Sequence, residues 1–153
     1  MATKEKDILE PSLDVLGIAP YKQSKTDKYM DSKMRQHFTN ILMALRQRLL
    51  EGGDKIVTHM KEDAINYPDP NDRASQEEGF RLELRTRDRE RKLLKKIEES
   101  LELIREKNYG YCEVCGVDVG LRRLEARPTA TLCIDCKTLD EIKERQQKQE
   151  EEY

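Results

Sequence analysis

From residue 31 onward apolar side chains recur in alternating steps of four and three. Phe38, Leu42, Leu45, Leu49, Ile56 and Asp63 mark this seam, with Gly52 and His59 at the intervening positions. A period near 3.5 residues is that of a helix packed lengthwise on one long partner. Asp31 or Ser32 supplies the N-cap, accepting a backbone N–H. Gly52 and Gly53 each cost up to about 1 kcal/mol against Ala in a helix interior. The pattern continues past them, so they read as a bend or weak point in the helix and not as its end. Tyr67-Pro-Asp-Pro-Asn-Asp72 then stops the helix and starts another. Two prolines cannot continue the first helix, whereas Asp69 suits an N-cap with Pro70 at the first helical position and Asp72 near N3. Ser75-x-x-Glu78 offers a second possible capping box. The second helix is predicted over about 70–107, with Phe80, Leu84, Leu94, Ile97, Leu101 and Ile104 on its apolar side. Arg87 and Arg91 fall at the seam positions between Phe80 and Leu94, which leaves that stretch loosely specified. Two helices of some 35 residues extend roughly 50 Å, and the short connection makes them antiparallel neighbours.

The flanks are different. Residues 1–30 are weakly periodic, broken by Pro11, Gly17 and Pro20. Leu13, Val15, Leu16 and Ile18 are expected to form a short turn or helix that packs on the rest, a mobile arm being the competing reading. After the second helix comes a cysteine-bearing stretch, and then a last helix predicted from Thr138, with Thr138-x-x-Glu141 as its capping box and a polar end at Gln146 to Glu152. The expected organisation is therefore 1–32 as an N-terminal segment on the globular part, and 33–108 as a coiled-coil hairpin with its tip at 67–74. A four-cysteine finger follows at 109–137 and a C-terminal helix at 138–153. The fold class is mainly α: a long antiparallel helical hairpin on a small globular part.

Composition sharpens this picture. Charged residues make up 39% of the 153 and the formal net charge is only -2, so the chain carries many charges of both signs on solvated helices. With no Trp, two Phe and a mean hydropathy of -0.91, a compact single-core enzyme is not expected. The longest apolar run, Ile41 to Leu45, is far short of the roughly 20 residues of a membrane span. Met1 to Glu10 lacks the apolar core of a signal peptide, so a cytoplasmic location is expected. A pI near 5.8 argues against nucleic-acid binding by bulk charge.

The chemistry lies in Cys112-x-x-Cys115 and Cys133-x-x-Cys136, seventeen residues apart. Each two-residue gap turns a pair of thiolates into one knuckle, and two knuckles complete a tetrahedron of Zn–S bonds of about 2.3 Å. All four cysteines of the chain are used, which leaves no open coordination position and points to one structural zinc. Disulfides conflict with a reducing cytosol, a redox dithiol needs only one pair, and an iron–sulfur cluster takes the same ligands. Gly110 and Gly116 flank the first pair and relieve its tight backbone. His37 and His59 read as plain helix-face residues. No Ser/His/Asp set, phosphate loop or Rossmann fingerprint is present. Residues 62–78 hold six acids and one Arg, an acidic tip suited to a metal or a basic surface in a partner. Lys92, Lys95, Lys96, Arg122, Arg123, Arg127 and Lys137 can line an anion pocket near the hairpin base, with solvated surface as the plainer reading.

Three stretches resemble one family. Thr58-His-Met60 through Tyr67-Pro-Asp-Pro-Asn-Asp-Arg-Ala-Ser-Gln-Glu-Glu78 is similar to the coiled-coil tip of the DksA/TraR family, transcription factors with a four-cysteine zinc finger. Leu84 to Ile97 resembles its second helix, and Tyr109 to Gly116 with Arg122 to Leu139 its zinc finger. The resemblance spans roughly residues 15–145. It implies a non-enzymatic bacterial regulator that binds RNA polymerase directly, without contacting DNA; a polar hairpin with its seam already paired suggests a monomer. Its hairpin would enter the polymerase secondary channel, destabilise promoter open complexes and potentiate the alarmone ppGpp in the stringent response. The resemblance assigns the tip role to Asp69, Asp72 and Ala74, and a ppGpp site shared with polymerase to Leu93, Lys96, Arg127 and Lys137. The alternative is a Gre-like transcript-cleavage factor, which also uses an acidic-tipped hairpin; a zinc-ribbon nucleic-acid binder ranks third. Gly52-Gly53 and Gly79 depart from the helix formers expected of the family and bear on how stiffly the tip is presented.

Overall fold

The computed structural model describes residues 12–63 and 70–152, with the side chains of 53–63 outside that description. Five helices are found there: α1 (Leu13–Leu16), α2 (Ser32–Asp63), α3 (Pro70–Arg105), α4 (Leu121–Ala126) and α5 (Ile134–Glu151). Among the described residues there is no strand, only one isolated antiparallel bridge between Tyr111 and Asp118.

Helix α2 starts as its sequence dictates. Asp31 Oδ1 accepts the Met34 N–H at 2.9 Å, so Asp31 and not Ser32 is the cap. The helix runs unbroken through Gly52 and Gly53 to Asp63. Helix α3 begins with Pro70 and carries Asp72 in its first turn, where an acid faces the positive end of the helix dipole. It passes straight through Ser75, which therefore caps nothing. The expected N-cap Asp69 lies outside the described residues, as do residues 1–11. The helix ends through Lys107, whose left-handed φ of 62° lets the Asn108 N–H reach Leu103 O at 2.9 Å and close the last turn.

Helices α2 and α3 pack antiparallel, with Arg46 Nε on Glu98 Oε1 at 2.9 Å setting the register. Among the described residues the apolar seam lies at the base. Met34, Phe38, Ile41, Leu42 and Leu45 of α2 meet Ile97 and Leu101 of α3, and among the described residues the buried set reaches Leu49 on α2 and Leu93 on α3. Each such side chain contributes about 1.5–3 kcal/mol. Tyr109, Val119 and Leu124 close the core from the cysteine-bearing segment, and the Tyr109 hydroxyl donates to Pro128 O.

The distal part of α3 differs from expectation. Leu84 is 52% exposed and Arg91 is exposed, whereas Glu83, Arg87 and Glu90 turn inward. Continuing the seam Ile104, Leu101, Ile97, Leu94 toward the tip in alternating steps of three and four lands on 90, 87, 83 and 80. Leu84 is one position out of phase. The seam positions Ile56, His59 and Asp63 of α2 fall where side chains are not described.

Residues 13–21 are docked. Leu13, Leu16, Ile18 and Tyr21 pack on the core, while Val15 is 51% exposed. Gly17, at φ 70°, ends α1.

Candidate metal centre and hairpin tip

The first knuckle is built by backbone. Cys112 N–H donates to Val117 O at 2.8 Å, Gly116 N–H to Cys112 O at 3.0 Å and Val119 N–H to Gly110 O at 2.9 Å. Such tight turns need left-handed residues, and Gly110 and Gly116 supply them at φ 92° and 76°. The second knuckle is the start of α5. Cys133 is its N-cap, its sulfur accepting from the Cys136 N–H, so the last helix begins at Ile134 and not at Thr138. The Thr138 hydroxyl donates back to Ile134 O at 2.9 Å, a mid-helix contact. The sequence hid this because sulfur is a weak cap acceptor; the cap forms because the knuckle already holds Cys133 extended. Glu113 N–H donates to Thr131 O at 2.9 Å and Arg123 Nε to Leu132 O at 3.1 Å, which clamps the two knuckles together.

The four sulfurs lie within 4.8 Å of one another, and all four cysteines are free thiols. Cys115 Sγ and Cys133 Sγ are 3.6 Å apart. The edge of a tetrahedron with 2.3 Å arms is about 3.8 Å, so the donor set fits zinc in size and chemistry. The thiols are held unequally. Backbone N–H groups of Cys115 and Cys133 pull Cys112 down to about 6. Cys115 is drawn down by the Val117 N–H, but its Cys112 neighbour, burial and Cys133 outweigh that and raise it. Hydrogen bonding to the Cys133, Cys112 and Cys115 sulfurs pushes Cys136 far up. Thiolates crowded this closely repel one another, and a central divalent cation is what allows all four to ionise.

Two tyrosines and a histidine, none evident from spacing, join this unit to the base. The Tyr29 hydroxyl donates to Gly110 O at 2.7 Å and accepts the Gly120 N–H at 3.0 Å. His37, read from sequence as a plain face residue, has Nε2 3.3 Å from Glu125 Oε1, and its ring lies tilted against that of Tyr21 with centroids 5.4 Å apart. The same Glu125 oxygen accepts the Tyr21 N–H at 2.8 Å.

The remaining expected residues lie on α3, at the end of α4 and on α5. Asp72 and Ala74 are exposed on the first turns of α3. Leu93 is buried at the hairpin base, Lys96 is exposed one turn on, and Arg127 is half-buried at the C-cap of α4. Lys137, half-buried in the first turn of α5, has Nζ 4.0 Å from Glu141 Oε1. Other cations once grouped with them have local partners: Lys92 pairs with Asp88 at 3.2 Å, and Arg123 is committed to the Leu132 carbonyl. Among the described residues no helix is long and apolar enough to cross a membrane.

Comparison with known proteins follows the same division of the chain. Residues 34–104 match the family model described as the N-terminal domain of the DnaK suppressor protein DksA. Residues 107–141 match the prokaryotic dksA/traR C4-type zinc finger. The RNA polymerase-binding transcription factors DksA of Salmonella typhimurium and Escherichia coli K12 are each 56% identical over 134 residues, 88% of this chain and 89% of theirs. That of Buchnera aphidicola is 50% identical over 146 residues, 94% of this chain and 97% of its own. The structure of transcription factor DksA2 from Pseudomonas aeruginosa superposes with a TM-score of 0.73 at 36% identity, covering 86% of this chain and 97% of that one.

Proposed function

The chain belongs to the DksA family, and from that premise we propose how its hairpin and metal centre work. It is a transcription factor that binds RNA polymerase. The observation that carries this is identity of 56% running across 88% of the chain, hairpin and finger together. The Gre-like cleavage reading loses its ground, since the models matching both hairpin and finger are those of DksA.

In this reading the hairpin is a probe. It enters the secondary channel of polymerase and presents the acids at 69 and 72, with Ala74 beside them, near the active centre, which shortens the life of promoter open complexes. Helix α3 keeps the probe extended, with Asp72 at the positive end of its dipole. Polymerase binds the globular part, where Cys112, Cys115, Cys133 and Cys136 hold one structural zinc. Closed four-thiolate coordination leaves the ion no position for a reactant, so the protein regulates without catalysing. The alarmone ppGpp binds between polymerase and Leu93, Lys96, Arg127 and Lys137, since a multiply charged phosphate favours convergent Lys and Arg. The protein acts in the cytoplasm as a monomer and makes no DNA contact of its own.

The test is open-complex lifetime on a ribosomal RNA promoter with purified polymerase, with and without this protein and ppGpp. Wild type shortens the lifetime, ppGpp shortens it further, and Asp72→Asn leaves it long while melting like wild type. Unchanged lifetime with folded, zinc-loaded wild type refutes the reading.

A further inference from the structure

The hairpin changes character halfway along. Toward the base the seam is apolar and closed by Leu45, Leu49, Leu93 and Ile97. Beyond it α3 turns Glu90, Arg87 and Glu83 inward. Glu83 Oε2 is shielded from solvent and has no hydrogen-bond partner, and leaving such an oxygen unpaired opposes close packing there. Burial also holds the Glu90 carboxyl above its ordinary range. On α2, the register set by Arg46 and Glu98 places Gly52 and Gly53 level with about Arg91 and Lys92, the turn beside Glu90.

Glycine inside a helix is normally explained by close packing. Here it is not. A Cβ added at Gly52 would meet no atom within 4 Å, and the same holds at Gly79 of α3. No neighbouring chain element needs the space, so nothing offsets the cost of glycine to the helix. The two adjacent glycines of α2 thus lie level with the point where α3 exchanges its apolar seam for half-buried charge. Local opening is easiest where buried apolar contacts are few.

We infer that the hairpin contains a mechanical joint, formed by Gly52-Gly53 of α2 and the Glu83–Glu90 seam of α3, that opens locally while the base stays packed. Opening there re-aims the half of the hairpin that carries residues 67–74 without disturbing the cysteine centre or the core around Phe38. The joint concerns the mechanics of the free chain and stands or falls independently of polymerase binding.

Amide hydrogen exchange on the full, zinc-loaded chain tests it. Amides 50–56 exchange at least tenfold faster than amides 38–46, with a step at 50 and renewed protection over 57–62. The double variant Gly52→Ala, Gly53→Ala slows exchange over 50–56 about 25-fold, roughly fivefold per glycine, and leaves 38–46 unchanged. Glu83→Leu, which removes the orphaned oxygen, slows exchange over 80–90. A smooth rise from base to tip with no step at 50–56 is simple fraying and overturns the joint. So do equal protection of the two stretches in wild type and wild-type rates in both variants.

Discussion

Tyr29→Phe is the most informative single substitution at the junction of hairpin and finger. It deletes one oxygen and leaves the ring, which keeps its edge-on contact with Tyr111 at 5.6 Å. The oxygen makes two hydrogen bonds, to Gly110 O at 2.7 Å and from Gly120 N–H at 3.0 Å, so both ends of the first knuckle lose a partner together. At about 0.5–1.5 kcal/mol per bond, the expected loss is about 1–3 kcal/mol. The assay is chemical denaturation of zinc-loaded protein at pH 7, comparing midpoints at unchanged slope. Alkaline pH adds a second readout. Burial is the largest influence on the Tyr29 phenol and raises it above 10.0, only partly opposed by the Gly120 N–H. A folded-state value above the unfolded one means the linked stabilisation is complete below pH 10 and is lost as pH rises through the folded value. Wild type therefore loses stability above pH 10 faster than Tyr29→Phe, and the gap between them narrows. A loss under about 0.5 kcal/mol at pH 7, or a gap that widens with pH, refutes the bridging role.

Gly110→Ala is expected to cost about 1–2 kcal/mol. Its φ is 92° and the added Cβ would lie 2.8 Å from Met30 Cε, a strain read out as a lower melting temperature. Removing metal with a chelator is expected to abolish exchange protection of the amides of Cys112, Gly116 and Val119, whose partners exist only in the folded knuckle; protection that survives chelation shows the ion is not structural. Lys96→Ala is expected to keep the effect on open complexes without ppGpp and to lose most of the added effect of ppGpp. An unchanged ppGpp response removes Lys96 from that site.

Much of this protein is written locally. Two helices, their proline-marked break and the four-cysteine centre follow from spacings within a few turns, because helix period, capping and knuckle geometry depend on neighbours in the chain. A cap at Asp31 or Ser32 and the glycines at 110 and 116 were legible for the same reason, and the structure chose Asp31. The distal seam was legible in principle: extending the base heptad from Leu94 finds Glu90, Arg87 and Glu83. A search for apolar residues instead settles on Leu84, which solvent tolerates well.

What the tertiary structure alone decided is how separate segments meet. That Tyr29 bridges Gly110 and Gly120 depends on residues more than eighty positions apart, and no period or propensity encodes such a pair. His37 became a partner of Glu125 in the same way, through the packing of α4 against α2. The start of α5 at Ile134 belongs here too, since a cysteine becomes an effective cap only once the opposing knuckle holds it in place. Local pattern sets which elements form, because their hydrogen bonds close within the element. The long-range polar contacts that join hairpin to finger depend on where the folded core brings the chain back against itself.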